Sequence, residues 1–322
     1  MEDLTVLVLS DPTEPHLAML EALPEKTTIA AGNTPEAFER TAPTADILFN
    51  WSARLPVFEQ VWKMSPRVRW VHVRSAGLDG VLFPALVESP VPITNGRGVF
   101  SDALGEFVLG AVFYFAKNFR RLIQSQTAGV WDRFDTVEVR GQTMGVLGYG
   151  DVGRACAQRA HAVGMKVLAL RRRPGISTGD PIVDQAFTPD RKLEFLARCD
   201  YVVATLPLTD ESRGLIGAPE FAVMKPSAVF INIGRGPVVD EHALIDALER
   251  KRILGAALDV YNTEPLPASH PFYKLDNVLL SPHCADHTPD WQRRGMQLFL
   301  ENFERFRRGE PLVNVVNKKL GY

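Results

Sequence analysis

The chain has 322 residues, 46% hydrophobic and 23% charged, with 36 Lys and Arg against 38 Asp and Glu for a formal net charge of −2. This balance excludes extended disorder, a collagen-like repeat and a globally basic nucleic-acid binder, and the length exceeds what one hydrophobic core ordinarily fills. Three cysteines, Cys156, Cys199 and Cys284, are too few and too scattered for a disulfide framework or a metal cage. The longest apolar stretch, 107–116, is half the length of a membrane span, and Glu2 and Asp3 are the reverse of a signal peptide's basic start. A cytoplasmic protein with no metal and no membrane or nucleic-acid partner is expected.

In chain order, short apolar runs alternate with helical patterns. Strands are expected at 4–9, 47–49, 71–73, 144–147, 166–170, 201–204, 228–231, 256–258 and 278–280. They are rich in Val, Ile and Leu without strict alternation, as in strands buried on both faces of a parallel sheet. Helical patterns at 152–163 and 241–251 lie between them, which predicts an α/β fold with doubly wound sheets. Residues 99–119 read as one helix apolar nearly all round, expected to be buried between two domains. Residues 290–308 carry Trp291, Leu298, Phe299, Phe303 and Phe306 on one face. Taking these two helices as crossovers gives a first domain at 1–98 completed by 289–322, and a second at 99–288.

The sharpest motif is Gly148-Tyr149-Gly150-Asp151-Val152-Gly153, which follows the strand at 144–147 and opens a helix. In that context the three glycines serve a tight turn, a close approach to a pyrophosphate and close helix-to-strand packing. The helix N-terminus offers unpaired N–H groups to the phosphates. At the end of the next strand, where an NAD site has an acid for the ribose 2′-hydroxyl, stand Arg171, Arg172 and Arg173; the nearest acid downstream is Asp180. Guanidinium groups there suit a 2′-phosphate, so NADP(H) is expected in preference to NAD(H).

Three more strands end in polar residues. Arg235 follows Asn232-Ile233-Gly234, Asp259 follows Ala257-Leu258 with Glu264-Pro265 beyond it, and His283 follows Ser281-Pro282. Ligands of doubly wound sheets bind outside the carboxyl ends of the strands, so an arginine, an acid and a histidine suit a small anionic carbonyl compound.

The whole pattern resembles the D-isomer-specific 2-hydroxyacid dehydrogenase family. The resemblance rests on Ser75-Ala76-Gly77-Leu78-Asp79, the nucleotide loop, Thr205-Leu206-Pro207-Leu208-Thr209, Asn232 to Gly236, Asp259 with Glu264-Pro265, and Pro282-His283. It implies a discontinuous flavodoxin-like substrate-binding domain around a Rossmann nucleotide-binding domain, and a homodimer held mainly by the latter. It also implies His283 as acid/base with Glu264 as its partner, and Arg235 as a substrate-binding residue. Ala76 and Gly77 would bind the substrate carboxylate, and Leu206, Pro207, Ile233 and Asp259 would surround the nicotinamide. Trp51 and Arg54 would border the pocket, and Trp131 would reach across the dimer.

The expected reaction moves hydride to the carbonyl carbon of a small 2-oxo acid such as glyoxylate or hydroxypyruvate, giving the D-2-hydroxy acid. His283 would deliver the proton and Arg235 would polarise the carbonyl. Asp259 is left with two roles, holding Arg235 or the nicotinamide carboxamide. Asp286 stands where the family usually has a small residue, and His287 adds a second imidazole. With no regulatory segment after Tyr322, a long amino-acid-sensing phosphoglycerate dehydrogenase is not expected. A second reading is a dinucleotide-sensing, corepressor-like binding protein without significant turnover.

Overall fold

The computed structural model of the protein describes residues 3–172 and 179–322. The chain divides into two compact units, Met1–Phe100 with Thr288–Tyr322, and Ser101–His287.

The first unit holds five strands, β1 (Thr5–Leu9), β2 (Thr28–Gly32), β3 (Ile47–Asn50), β4 (Trp70–Val73) and β5 (Ile93–Thr94). All pair in parallel, in the order β2-β1-β3-β4-β5, which is the flavodoxin-like order. The inner strands are buried along nearly their whole length because helices cover both faces. One face packs on Phe38, Phe58 and Leu86, and the other on Phe299 and Phe303. The last two come from the Trp291–Arg307 helix, whose Phe299 ring stacks on Phe49 at 4.1 Å between centroids. Strands β2 and β5 were not expected from the sequence. The first is a half-exposed edge segment without an apolar run, and the second has two residues.

The second unit holds β6 (Thr143–Leu147), β7 (Lys166–Leu170), β8 (Gln185–Phe187), β9 (Tyr201–Ala204), β10 (Val229–Asn232), β11 (Gly255–Leu258) and β12 (Val278–Leu280). Their order is β12-β11-β10-β9-β6-β7-β8, a Rossmann sheet with one strand added at an edge. Every pairing is parallel. The order reverses at β6, so the crevice between the carboxyl ends of β6 and β9 is the place for a dinucleotide.

The expected single helix at 99–119 is two helices, Ser101–Ala116 and Phe119–Ala128. Asn118 breaks it: its φ is +48°, a left-handed conformation that asparagine tolerates, and its side chain accepts from the N–H of Arg121. Within its own unit the first helix lies against the Asp151–Ala162 helix, and a Cβ on Gly105 would be 3.1 Å from Ala155 O. Only part of its apolar surface is buried: Leu104, Val108 and Val112 are inside, while Phe107, Phe113 and Phe115 are half-buried.

Candidate active site

Arg235, Asp259 and His283 follow β10, β11 and β12, three neighbouring parallel strands, so their positions converge at one sheet edge. The Arg235 loop is held by Asn232, 2% exposed, whose Oδ1 accepts from Gly234 N at 3.1 Å and whose Nδ2 donates to Arg235 O at 3.1 Å. Gly236 abuts the backbone of the next loop. A Cβ there would lie 2.1 Å from Tyr261 C and O, so a larger residue would push the two loops apart. Arg235 itself is half-buried, with Nη1 donating to Gly234 O at 2.8 Å.

His283 Nδ1 lies 2.6 Å from Glu264 Oε2. A carboxylate can only accept, so Nδ1 donates and Nε2 is the ring position left to exchange a proton. The other carboxylate oxygen, Oε1, accepts from Tyr261 N at 2.9 Å, which fixes Glu264 in turn. His283 has φ +53°, a left-handed conformation uncommon for a residue with a Cβ. Such conformations concentrate at functional sites, where the surroundings hold them in place.

Asp259 supplies that hold. It is 2% exposed, and its Oδ1 accepts from Ser281 Oγ at 2.6 Å, Cys284 N at 2.9 Å and Ala285 N at 3.1 Å. Burial pushes its carboxyl above the ordinary range against the pull of these three donors. The Tyr261 hydroxyl donates to Ser281 O at 2.7 Å and lies 2.9 Å from Leu258 O, bracing the same loop. Ser281, Tyr261 and Asn232 are thus working residues that the sequence reading passed over. Ser281 and Asn232 do lie inside the quoted motifs, whereas Tyr261 carried no signal beyond standing between Asp259 and Glu264.

The residues at the β6–β7 end fit a dinucleotide. Gly148 has φ +93°, and a Cβ on it would be 2.9 Å from Leu206 Cδ2. A Cβ on Gly153 would be 2.3 Å from Gly148 O, so any side chain would lift the helix off the turn, whereas Gly150 faces open space. Val152 and exposed Asp151 open the Asp151–Ala162 helix, and the Asp151 carboxylate is engaged by the Ser101 hydroxyl. Thr205 Oγ1 donates to Gly148 O at 2.5 Å. Ile233, at the end of β10, is buried, and its N–H donates to Ala204 O. Pro207 O accepts from Ser212 Oγ at 2.6 Å.

Of the three arginines, Arg171 is half-buried directly after β7, and its charge acts on the nearby Tyr149 hydroxyl. Arg172 is exposed and pairs with Glu211. Arg173 lies outside the described residues. Asp180 is tied back to the nucleotide turn: its Oδ2 accepts from Tyr149 Oη at 3.0 Å and Arg154 Nε at 2.8 Å.

In the first unit, Ala76 and Gly77 follow β4 in the loop that Asn95 fastens through Nδ2 to Ala76 O at 2.7 Å. Among the described residues, their N–H groups have no hydrogen-bond partner. Trp51, read from the sequence as bordering the substrate, is 2% exposed and enclosed by its own unit, with Phe49 edge-on at 5.6 Å and the Arg74 guanidinium over its ring at 4.8 Å. Its position at the end of a fully buried inner strand turns it into the core, so what it supports is Arg74. Arg54 is exposed at the start of the Leu55–Met64 helix. Trp131 is 92% exposed. Asp286 and His287 stand 3.7 Å apart beyond the His283 loop, and Cys284 is exposed and free.

Residues 109–285 match the family described as D-isomer specific 2-hydroxyacid dehydrogenase, NAD binding domain. Over 272 residues the chain is 34% identical to a glyoxylate reductase of Thermofilum pendens, covering 81% of this chain and 78% of that one. It is 30% identical over 318 residues to a D-3-phosphoglycerate dehydrogenase of Methanocaldococcus jannaschii, covering 97% of this chain but 59% of that longer protein. Among solved structures, a D-isomer specific 2-hydroxyacid dehydrogenase of Xanthobacter autotrophicus in complex with NADPH and MES superposes with a TM-score of 0.86, at 30% identity and full coverage of both chains. An NADPH-dependent glyoxylate/hydroxypyruvate reductase of Sinorhizobium meliloti, in complex with NADP and sulfate, gives 0.84 at 25% identity over 99% of this chain and all of that one. The chain belongs to the D-isomer-specific 2-hydroxyacid dehydrogenase family. It is an NAD(P)-dependent oxidoreductase of that class. Among the described residues, no helix is long and apolar enough to cross a membrane.

Proposed function

We propose that the protein reduces a small 2-oxo acid, of the kind of glyoxylate or hydroxypyruvate, to the D-2-hydroxy acid at the expense of NADPH. The observation that carries this reading is the 2.6 Å pair between His283 Nδ1 and Glu264 Oε2, set on strand ends beside Arg235 in a Rossmann unit. Bound nicotinamide dinucleotide supplies the hydride for the carbonyl carbon. His283 holds a proton at Nε2 and passes it to the carbonyl oxygen as negative charge develops there. Glu264 keeps the ring oriented. Arg235 binds the carboxylate and carbonyl oxygen of the substrate, and the N–H groups of Ala76 and Gly77 suit a carboxylate. Asp259 acts by fixing the loop that presents His283.

Preference for NADPH rests on Arg171 and Arg172 after β7; the nearest acid downstream in the sequence, Asp180, is occupied by Tyr149 and Arg154. Relatives whose solved structures hold NADPH or NADP agree with it. The reading implies a cytoplasmic enzyme, where reduced nicotinamide is at hand and the three cysteines, free in this structure, stay reduced.

The same reading includes a homodimer. Ile123 (60% exposed), Val130 (58%) and Trp131 (92%) lie on and just after the Phe119–Ala128 helix with Phe119 and Leu122, a concentration of exposed apolar side chains that a second copy would cover. Sedimentation should give a dimer, and Ile123→Asp should yield monomers; a monomeric wild type contradicts this part. The catalytic reading is tested by turnover of a panel of 2-oxo acids with NADPH and with NADH. Reduction of small 2-oxo acids, faster with NADPH, is expected, and no activity across the panel would overturn it.

A further inference from the structure

The ion pair between Arg172 and Glu211 joins two arms of the second unit on either side of its nucleotide turn. Arg172 is the second residue after β7, and Glu211 stands in the turn that follows β9. These strands are not neighbours: β6 lies between them, and its carboxyl end carries the glycine-rich turn at 148–153. Adjacent strands stand about 4.8 Å apart, so β7 and β9 are separated by roughly 10 Å. The two long side chains close that gap, with Arg172 Nη1 donating to Glu211 Oε2.

The β9 arm is fixed to the turn it flanks. Thr205 Oγ1 donates to Gly148 O, and Leu206 packs where a Cβ on Gly148 would be. Further along, Ser212 is 6% exposed, accepts from Thr209 N at 2.8 Å and donates to Pro207 O at 2.6 Å. These bonds close the turn from which Glu211 projects. The carboxylate is therefore presented to the β7 arm by a braced loop, yet its side chain is 71% exposed and that of Arg172 44%. Solvent, or a ligand, reaches both.

Charge decides what this pair does to a cofactor. A guanidinium that faces a carboxylate must be shared or surrendered before it serves a phosphate, and the carboxylate repels an incoming phosphate. An uncharged 2′-hydroxyl meets neither obstacle. We propose that Glu211 is a specificity-determining residue that competes with the 2′-phosphate of NADPH for Arg172 and so limits how strongly the protein distinguishes NADPH from NADH. This inference rests on the NADPH preference proposed above, and adds the residue that restrains it.

The test is titration of NADPH, NADH and adenosine 2′,5′-bisphosphate into the wild type, Glu211→Gln, Arg172→Met and the double variant. An exposed ion pair changes binding by about two- to fivefold. Glu211→Gln should tighten NADPH and the bisphosphate by that factor and leave NADH unchanged, with a smaller gain at high salt. In the Arg172→Met background the same substitution should bring less gain, because the contested guanidinium is gone. Unchanged or weaker NADPH binding in Glu211→Gln, an equal gain for NADH, or a full gain without Arg172 overturns the proposal. The bisphosphate separates this from failure of the NADPH reading. If the wild type favours NADH, a bisphosphate gain in Glu211→Gln that depends on Arg172 still supports the competition, and no gain refutes it.

Discussion

Glu264 bonds at both ends: Oε2 lies 2.6 Å from His283 Nδ1 while Oε1 accepts the N–H of Tyr261 at 2.9 Å. A carboxylate fixed by backbone on one side orients the imidazole on the other more firmly than a freely rotating one would. Glu264→Gln keeps an acceptor but removes the charge. Hydrogen bonds to charged groups contribute about 1.5–3 kcal/mol, so the rate of 2-oxo acid reduction should fall by roughly ten- to a hundredfold. The dissociation constant for NADPH, read by quenching of protein fluorescence, should stay within about twofold, because no phosphate or ribose contact is altered. A large loss of cofactor affinity would show that Glu264 serves the nucleotide site instead.

Asp259 reaches the reaction through the loop it holds. Three donors converge on its Oδ1, two of them from the backbone on either side of the Cys284–Ala285 bond. Asp259→Ala leaves those donors buried and unpaired, a loss of about 1–3 kcal/mol for each such group at most partly offset by water. Both thermal stability and kcat should drop, with kcat/KM for NADPH falling in step with that for the oxo acid. Normal turnover in a folded Asp259→Ala protein would show that His283 does not depend on this anchor.

The arginine run separates into two strengths. Arg171 is half-buried beside the nucleotide turn, whereas Arg172 is exposed and already paired with Glu211. Removing Arg171 should therefore cost NADPH more than removing Arg172. Arg171→Asp is expected to weaken NADPH binding by roughly ten- to a hundredfold and leave NADH, which carries no 2′-phosphate, little changed. Titrations of both cofactors against both variants decide it. Equal losses for NADPH and NADH would contradict a 2′-phosphate contact.

His72 makes the first unit sensitive to acid. It is fully buried among Phe49, Trp70 and Phe299, and burial lowers its pKa from 6.5 to about 3. Its Nδ1 lies 2.7 Å from Thr94 Oγ1, which accepts from Trp70 Nε1. The unfolded chain binds this proton more readily than the folded one. The contribution to stability is therefore whole above pH 6.5 and is lost as pH falls toward 3, at about 1.4 kcal/mol per pH unit. Urea unfolding of the wild type and His72→Gln between pH 7 and pH 4 should show the wild type losing stability faster. Parallel curves would mean that His72 does not carry the effect.

Much of the architecture was legible because buried parallel strands announce themselves as short runs of Val, Ile and Leu, as in β6, β7, β9 and β10. Two edge strands did not: Thr28–Gly32 and Gln185–Phe187 bury one side or less, so no run of Val, Ile and Leu marks them. The break at Asn118 was hidden for a related reason, since its apolar neighbours on both sides suit a helix, and only the left-handed turn separates them. At the site, His283 and Glu264 stand 19 positions apart in the chain and are joined directly in the structure. Asp259 was visible as a residue but not as an anchor, because its partners are backbone N–H groups that no sequence pattern displays. Trp51 is buried, and in the sequence a tryptophan at a strand end looks alike whether it faces a pocket or the core.

The account stands most directly on His283 as the proton donor. The measurement is single-turnover reduction of glyoxylate, or of the best oxo acid in the panel, by NADPH-loaded wild type and His283→Ala. General acid catalysis predicts that the variant loses about a hundred- to ten-thousandfold in rate while it binds NADPH as before. Equal rates in the two proteins would contradict the assignment of His283 and the mechanism built on it.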